Sequence, residues 1–128
     1  AGTFPDGLAF DENGDAWITS IVSNRVLRVC DLRTEIYLQD VDPAHLDWVE
    51  AAWRNHSMGR PHLVKAAGTV CRNISNLAFC GPNLRQATLG CLLDDKLPVI
   101  PMPVAGHKPL HWTFDIEPLK TALNLQTD

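Results

Sequence analysis

The side chains of this sequence that could do chemistry are few and scattered. Asp6 stands in Pro5-Asp6-Gly7, where two readings compete: an aspartate that hydrogen-bonds its own backbone in a tight turn, or a carboxylate held out to a cation. Calcium takes roughly six to eight oxygens at about 2.3–2.6 Å, so Asp6 would need donors from elsewhere. Asp11-x-Asn13-x-Asp15 imitates the opening of an EF-hand calcium loop. Ala16 stands where that loop needs its glycine and Val22 where it needs a bidentate glutamate, so the segment reads as a strand-connecting turn. The five histidines form no metal set: His107 and His111 are four apart, but Pro109 between them forbids the helical spacing of a zinc protease. His62, in Gly59-Arg60-Pro61-His62, lies in a loop and is the histidine to weigh as a substrate contact or proton carrier against a plain structural role. There is no Gly-x-Ser-x-Gly nucleophile turn and no glycine-rich phosphate loop.

The elements that must position these groups read as short strands. Gly7 to Phe10 is apolar, residues 11 to 15 form a polar turn, and Ala16 to Val22 is rich in β-branched and aromatic side chains. Ser23-Asn24 is a second turn, Arg25 to Cys30 a third strand, residues 31 to 33 a third turn and Thr34 to Gln39 a fourth strand, which together make an antiparallel meander. The character changes at Asp42, a good helix N-cap followed by Pro43 at the first helical position. Leu46, Val49 and Trp53 then recur at helical spacing, with Asp47 and Glu50 on the other side, so one short amphipathic helix is expected over 43–54. Residues 60 to 72 read as a connecting loop with a turn at Gly68.

The meander then begins again. Leu8-Ala9-Phe10 returns as Leu77-Ala78-Phe79 at an offset of 69, and past the turn the offset becomes 71, pairing Ala16 with Ala87, Ile18 with Leu89, Arg25 with Lys96 and Val26 with Leu97. Two extra residues fall in the turn Gly81 to Arg85, where insertion costs least. The repeat pairs Ser75 with Asp6 and Asn76 with Gly7, which makes Ser75 and Asn76 candidates for the same site, with backbone capping at a strand start as the simpler role. Radially repeated four-strand units are the blades of a β-propeller, which has about 4–8 of them. The expected fold is therefore all-β, about two blades: one over 3–40, a helical insertion over 42–60, a second blade over 73–114 with its last strand from Val104 through Phe114, and a tail over 115–128. Two blades cannot close a ring, so open strand edges would call for further chain or partner chains.

The segment Phe4-Pro5-Asp6-Gly7-Leu8-Ala9-Phe10-Asp11 with Gly14, Asp15 and Trp17, then Ser23-Asn24-Arg25-Val26, resembles part of the senescence-marker-protein (regucalcin), gluconolactonase and luciferin-regenerating-enzyme-like family. So do Gly59-Arg60-Pro61-His62, Asn73 to Phe79 with Gly81 to Arg85, and Pro103-Val104-Ala105-Gly106, so that the resemblance spans residues 3 to 114. It implies a six-bladed propeller with a divalent cation, usually calcium, at one channel mouth, hydrolysing a sugar lactone or similar ester. Within it Asp6 would be a metal ligand, while the family's other ligands precede this segment and have no counterpart here. A second, structural calcium of some relatives would fall at Ala9 and Ala78, whose side chains cannot bind it.

Composition narrows the classes. The chain has 128 residues, 45% apolar and 20% charged, with 11 basic against 15 acidic side chains, giving no basic surface for nucleic acid. Its most apolar run, Leu97 to Ala105, is broken by three prolines and falls short of the roughly 20 residues of a membrane span. Cys30, Cys71, Cys80 and Cys91 have no paired spacing and read as reduced core thiols of a cytoplasmic protein, so the sequons at Asn55 and Asn73 carry little weight. The chain opens on Ala1 without a Met, as a processed or excised segment would. Two functions are expected to compete: a metal-dependent lactonase-like hydrolase that is incomplete as a single chain, and a non-catalytic module that completes its ring by homo-oligomerisation through open blade edges.

Overall fold

The computed structural model describes residues 2–123; the last part of the expected tail, 124–128, lies outside the described residues. Within them the chain is mostly sheet. β1 (Pro5–Phe10), β2 (Ala16–Ser20), β3 (Arg25–Cys30) and β4 (Arg33–Gln39) form one antiparallel sheet in chain order. β5 (Ile74–Cys80), β6 (Gln86–Cys91) and β7 (Val99–Pro101) form a second. The β3–β4 hairpin turns through Asp31 and Leu32 at φ 47° and 64°, the left-handed pair that matches the twist of two tightly joined strands. Four residues, 21 to 24, join β2 to β3 rather than the two expected, with Asn24 at φ 50° closing the turn.

The repeat is real in three dimensions. In the first sheet Leu8 pairs with Ile18, Ala9 with Trp17 and Phe10 with Ala16; in the second Leu77 pairs with Leu89, Ala78 with Thr88 and Phe79 with Ala87, the same register at the same offsets. Both first strands carry their irregularity at the same place, between Pro5 and Leu8 and between Ile74 and Asn76. The third strands also correspond, Ala16 facing Val29 as Ala87 faces Ile100. The two extra residues add one ladder pair, Cys80 with Gln86, so they lengthen the hairpin instead of enlarging its loop.

The second unit departs from expectation at its last strand. Residues 104 to 114 do not pair with β7. The chain instead crosses to the first sheet, where Glu12 N donates to Ala105 O (2.9 Å) and His107 N to Phe10 O (2.9 Å), and it then forms a 3-10 turn at Leu110–Thr113. Pro101, Pro103 and Pro109 supply the reason, because a proline has no N–H to donate to a ladder. A short helix, here α3 (Glu117–Ala122), ends the described chain.

Helix α1 (Pro43–Arg54) follows the expected bounds. The Asp42 carboxylate accepts from Ala44 N (3.0 Å) and His45 N (3.2 Å), a cap that contributes about 1 kcal/mol. Its buried stripe is His45, Val49 and Ala52, one position off the expected one, and Trp53 is left 63% exposed. The connecting segment contains one further turn of helix, α2 (Arg60–Leu63). No helix among the described residues is long and apolar enough to cross a membrane.

The core lies between the sheets. Trp17 and Val26 of the first sheet meet Leu77, Ala87 and Leu89 of the second, with Ile74, Cys71, Met102 and Val104 around them. Trp17 meets Tyr37 and Phe79 edge-on, with ring centroids 5.0 and 6.1 Å away. Burying side chains of this size contributes about 1.5–3 kcal/mol each. Among the cysteines only Cys71 is fully buried; Cys30, Cys80 and Cys91 are half-buried thiols.

Candidate functional site

Asp6 lies one residue into β1 on its exposed side, and its carboxylate accepts no hydrogen bond among the described residues, so the self-bonded turn is not formed. Its neighbour Gly7 explains the tripeptide in packing terms. A methyl group on Gly7 would lie 2.7 Å from the Ser75 carbonyl oxygen and 2.8 Å from Asn76 Cα, so only glycine lets β1 run this close to β5. Thr19 secures the approach, its hydroxyl accepting from Gly7 N (2.8 Å) and donating to Ser75 O (3.0 Å). The fold therefore brings together the two tripeptide-equivalent points of the repeat, Asp6-Gly7 and Ser75-Asn76.

Ser75 and Asn76 are occupied with backbone. Ser75 Oγ donates to Gly90 O (3.2 Å), and Asn76 Oδ1 accepts from Leu77 N (2.7 Å). His62 belongs to a different place. It stacks on Trp48 with ring centroids 4.2 Å apart, its Nδ1 lies 3.1 Å from Gly59 N, and it does not line the cavity that holds Asp6.

That cavity has a volume of about 790 Å³ and lies between the start of β1 and the end of α1. Its walls are largely apolar: Phe4 and Trp53, edge to face at 6.3 Å, with Pro5, Ile21, Met58 and Leu63. Two carboxylates reach it. Glu50 is paired with Arg54, which leaves Asp6 as the uncommitted anion at its rim. An apolar pocket with a few polar groups at its rim, here Asp6 and the Glu50–Arg54 pair, has the common form of a small-molecule site.

Among the described residues no three His, Cys, Asp or Glu side chains converge. Asp6 is one carboxylate, and neither Ser75 nor Asn76 lines the cavity at whose rim it stands. The EF-hand imitation is a turn, as expected: buried Asp11 accepts from Asn13 N (2.9 Å) and Asp15 N (3.1 Å) at Oδ1 and from Trp17 Nε1 (3.0 Å) at Oδ2.

The polar residues that the fold uses most lie outside the sequence candidates. Asn24 Nδ2 donates to Cys71 O (2.5 Å) and Asp40 O (2.7 Å), while its Oδ1 accepts from Ile74 N (2.9 Å). Asp40 accepts from the N–H groups of Thr69 (2.9 Å), Val70 (2.6 Å) and Cys71 (2.8 Å). Burial pushes the Asp40 carboxyl up, but those backbone donors outweigh it and hold it below the usual carboxylate range. Asn73 is buried, with its amide spent on Ala67, Leu63 and Lys65, so its sequon offers no free acceptor. The available signal was an Asn in a turn, since Asn24 and Asn73 both take positive φ.

No family model, curated protein or solved structure matches this chain.

Proposed function

We propose that the chain is a two-blade portion of a β-propeller and that it contributes Asp6 to a divalent-cation site, probed first with calcium, in a lactonase-like hydrolase. The observation that carries this reading is the register-matched repeat. It sets β1 beside β5, with Gly7 against Ser75 and Asn76, and the free Asp6 carboxylate lies at the rim of an apolar cavity. In such a site the cation would polarise a sugar-lactone or ester carbonyl and lower the pKa of an attacking water. This chain's own part is narrower: Asp6 holds one coordination position, Gly7 keeps the two strands in contact, and the Phe4–Trp53 wall excludes water from a substrate's apolar side. A calcium shell of roughly six to eight oxygens would need further donors besides Asp6.

Isothermal titration of calcium into the ring-complete assembly, with and without Asp6→Ala, tests the reading. We expect the substitution to weaken binding by at least tenfold, about 1.4 kcal/mol. Equal affinities would remove Asp6 from the metal shell. His62→Ala, on a ring stacked against Trp48 and away from the cavity, is expected to leave calcium affinity unchanged.

A further inference from the structure

We propose that the outer face of the first sheet is a docking surface for a second copy of this chain, and that it takes the free face of that copy's second sheet, head to tail. The repeat states what such a face packs against. Leu77, Phe79, Ala87, Leu89 and Ile100 share one face of the second sheet, and that face packs on the opposite-handed face of the first, which carries Ala9, Trp17 and Val26. The register-equivalent residues of the first sheet are Leu8, Phe10, Ala16, Ile18 and Val29. Leu, Phe and Ala are identical in the two sets and the others exchange one aliphatic side chain for another. Yet Leu77 is 3% exposed and Ala87 and Leu89 are 0%, while Leu8 is 56% exposed and Phe10 50%. One surface occurs twice, covered in the second sheet and open along β1 in the first, where Ala16, Ile18 and Val29 are half-buried and Leu27 beside Ile18 is buried.

What covers it in the first instance is the face that carries Ala9, Trp17 and Arg28. Its equivalent in the second sheet is Ala78, Thr88 and Val99, and it too is bare, with Ala78 exposed and Val99 56% exposed. Each chain therefore carries one partly open surface of each kind, on the outer faces of its two sheets, with Phe10 and Ala78 also lining a cavity shared with His107 and Trp112. A contact between unlike surfaces is heterologous, so it adds copies in one direction and closes into a ring when the rotation per copy permits. The contact is face to face and does not need the free strand edges.

The polar clamps of the internal contact do not repeat. Thr19 and Asn24, which bond Ser75 O, Cys71 O and Ile74 N, correspond to Gly90 and Asp95, and Ile74 N corresponds to Pro5, which has no N–H. Thr88 also fills less volume than Trp17. The contact between copies rests on apolar packing alone and is reversible and concentration-dependent.

Sedimentation velocity over a concentration series tests this with three proteins. Wild type is expected to shift from monomer to heavier species as concentration rises. Leu8→Glu with Phe10→Glu blocks one surface, Thr88→Glu with Val99→Glu blocks the other, and each is expected to stay monomeric. Mixed in equal amounts, the two variants retain one compatible pair of surfaces and are expected to form a species of twice the 14.2 kDa chain and nothing larger. If a double substitution prevents folding, Leu8→Glu alone and Val99→Glu alone, at positions already exposed, take its place. A wild type that is monomeric throughout, a variant that still dimerises alone through like surfaces, or a mixture that stays monomeric each overturns the proposal.

Discussion

Asp11 shows how one side chain can look like a ligand and act as a fastener. Its two oxygens satisfy three N–H donors at zero exposure, two from the turn it opens and one from the Trp17 indole, so it joins the hairpin to the core. Arg28 adds charge from 3.7 Å, beside its closer bond to Asp15. Removing the carboxylate leaves buried donors unpaired, each at about 1–3 kcal/mol. Asp11→Ala is expected to lower unfolding free energy by about 2–4 kcal/mol in urea titration, and whatever shift calcium causes is expected to be the same in both proteins, because Asp11 holds no ion. The turn was legible in the sequence because its failure as an EF-hand depends on neighbours within twelve positions. The bond to Trp17 was not legible, because whether an indole N–H points toward a turn depends on which face of β2 the core occupies.

At the scale of elements, the meander and α1 were readable from local signals. Period-two alternation, the Asp31-Leu32 turn and the Asp42-Pro43 start all act within a few residues. The buried stripe of α1 was not, since several rotations of a short helix present some apolar side chains. The structure buries His45 in place of Leu46 as the central residue, with both ring nitrogens unpartnered, under Trp48 at 5.7 Å. Burial, and then the Lys65 charge, lower its pKa from the ordinary value near 6.5, while Asp42 opposes and His62 adds to the fall. The folded state thus binds a proton less readily than the unfolded chain. The stability this contributes is complete above about pH 6.5 and drains away as pH falls toward the lowered value. Denaturation midpoints measured between about pH 8 and pH 5 are expected to drop for wild type and to drop less for His45→Leu, in which nothing at that position titrates.

For the whole molecule the decisive feature is how two sheets of one repeat are fastened. Asn24 does most of the polar work, taking positive φ at the end of one sheet and binding backbone on both sides of the segment that leads into the other. Gly68 is packed against the Asn24 amide and the Asp40 carbonyl, leaving no space for a side chain there. Asn24→Ala is expected to cost about 2–4 kcal/mol, since it removes three bonds and keeps the strained turn. Asn83→Ala is the control for backbone strain alone, at a similar φ of 54° but on an exposed side chain, and is expected to cost under about 1 kcal/mol. Both follow from thermal or chemical denaturation.

The sequence by itself determined the four strands of the first sheet, helix α1 and the existence of a repeat with its two offsets, because each of these is written in spacings of a few residues or in direct comparison of two segments. It also singled out Asp6, which the fold leaves uncommitted. Only the tertiary structure decided that the second sheet has three strands, that the chain then returns to β1, that His62 sits on Trp48, and that Asn24, Asp40 and Asn73 carry the connections. Those outcomes depend on contacts between residues that the sequence does not place side by side, from Asn73 with Ala67 to Phe10 with His107, and on which of two similar faces finds a partner. The same physics makes Leu77 a core residue and leaves Leu8 on the surface: their neighbours along the chain are alike, and only the packing of one sheet on the other separates them.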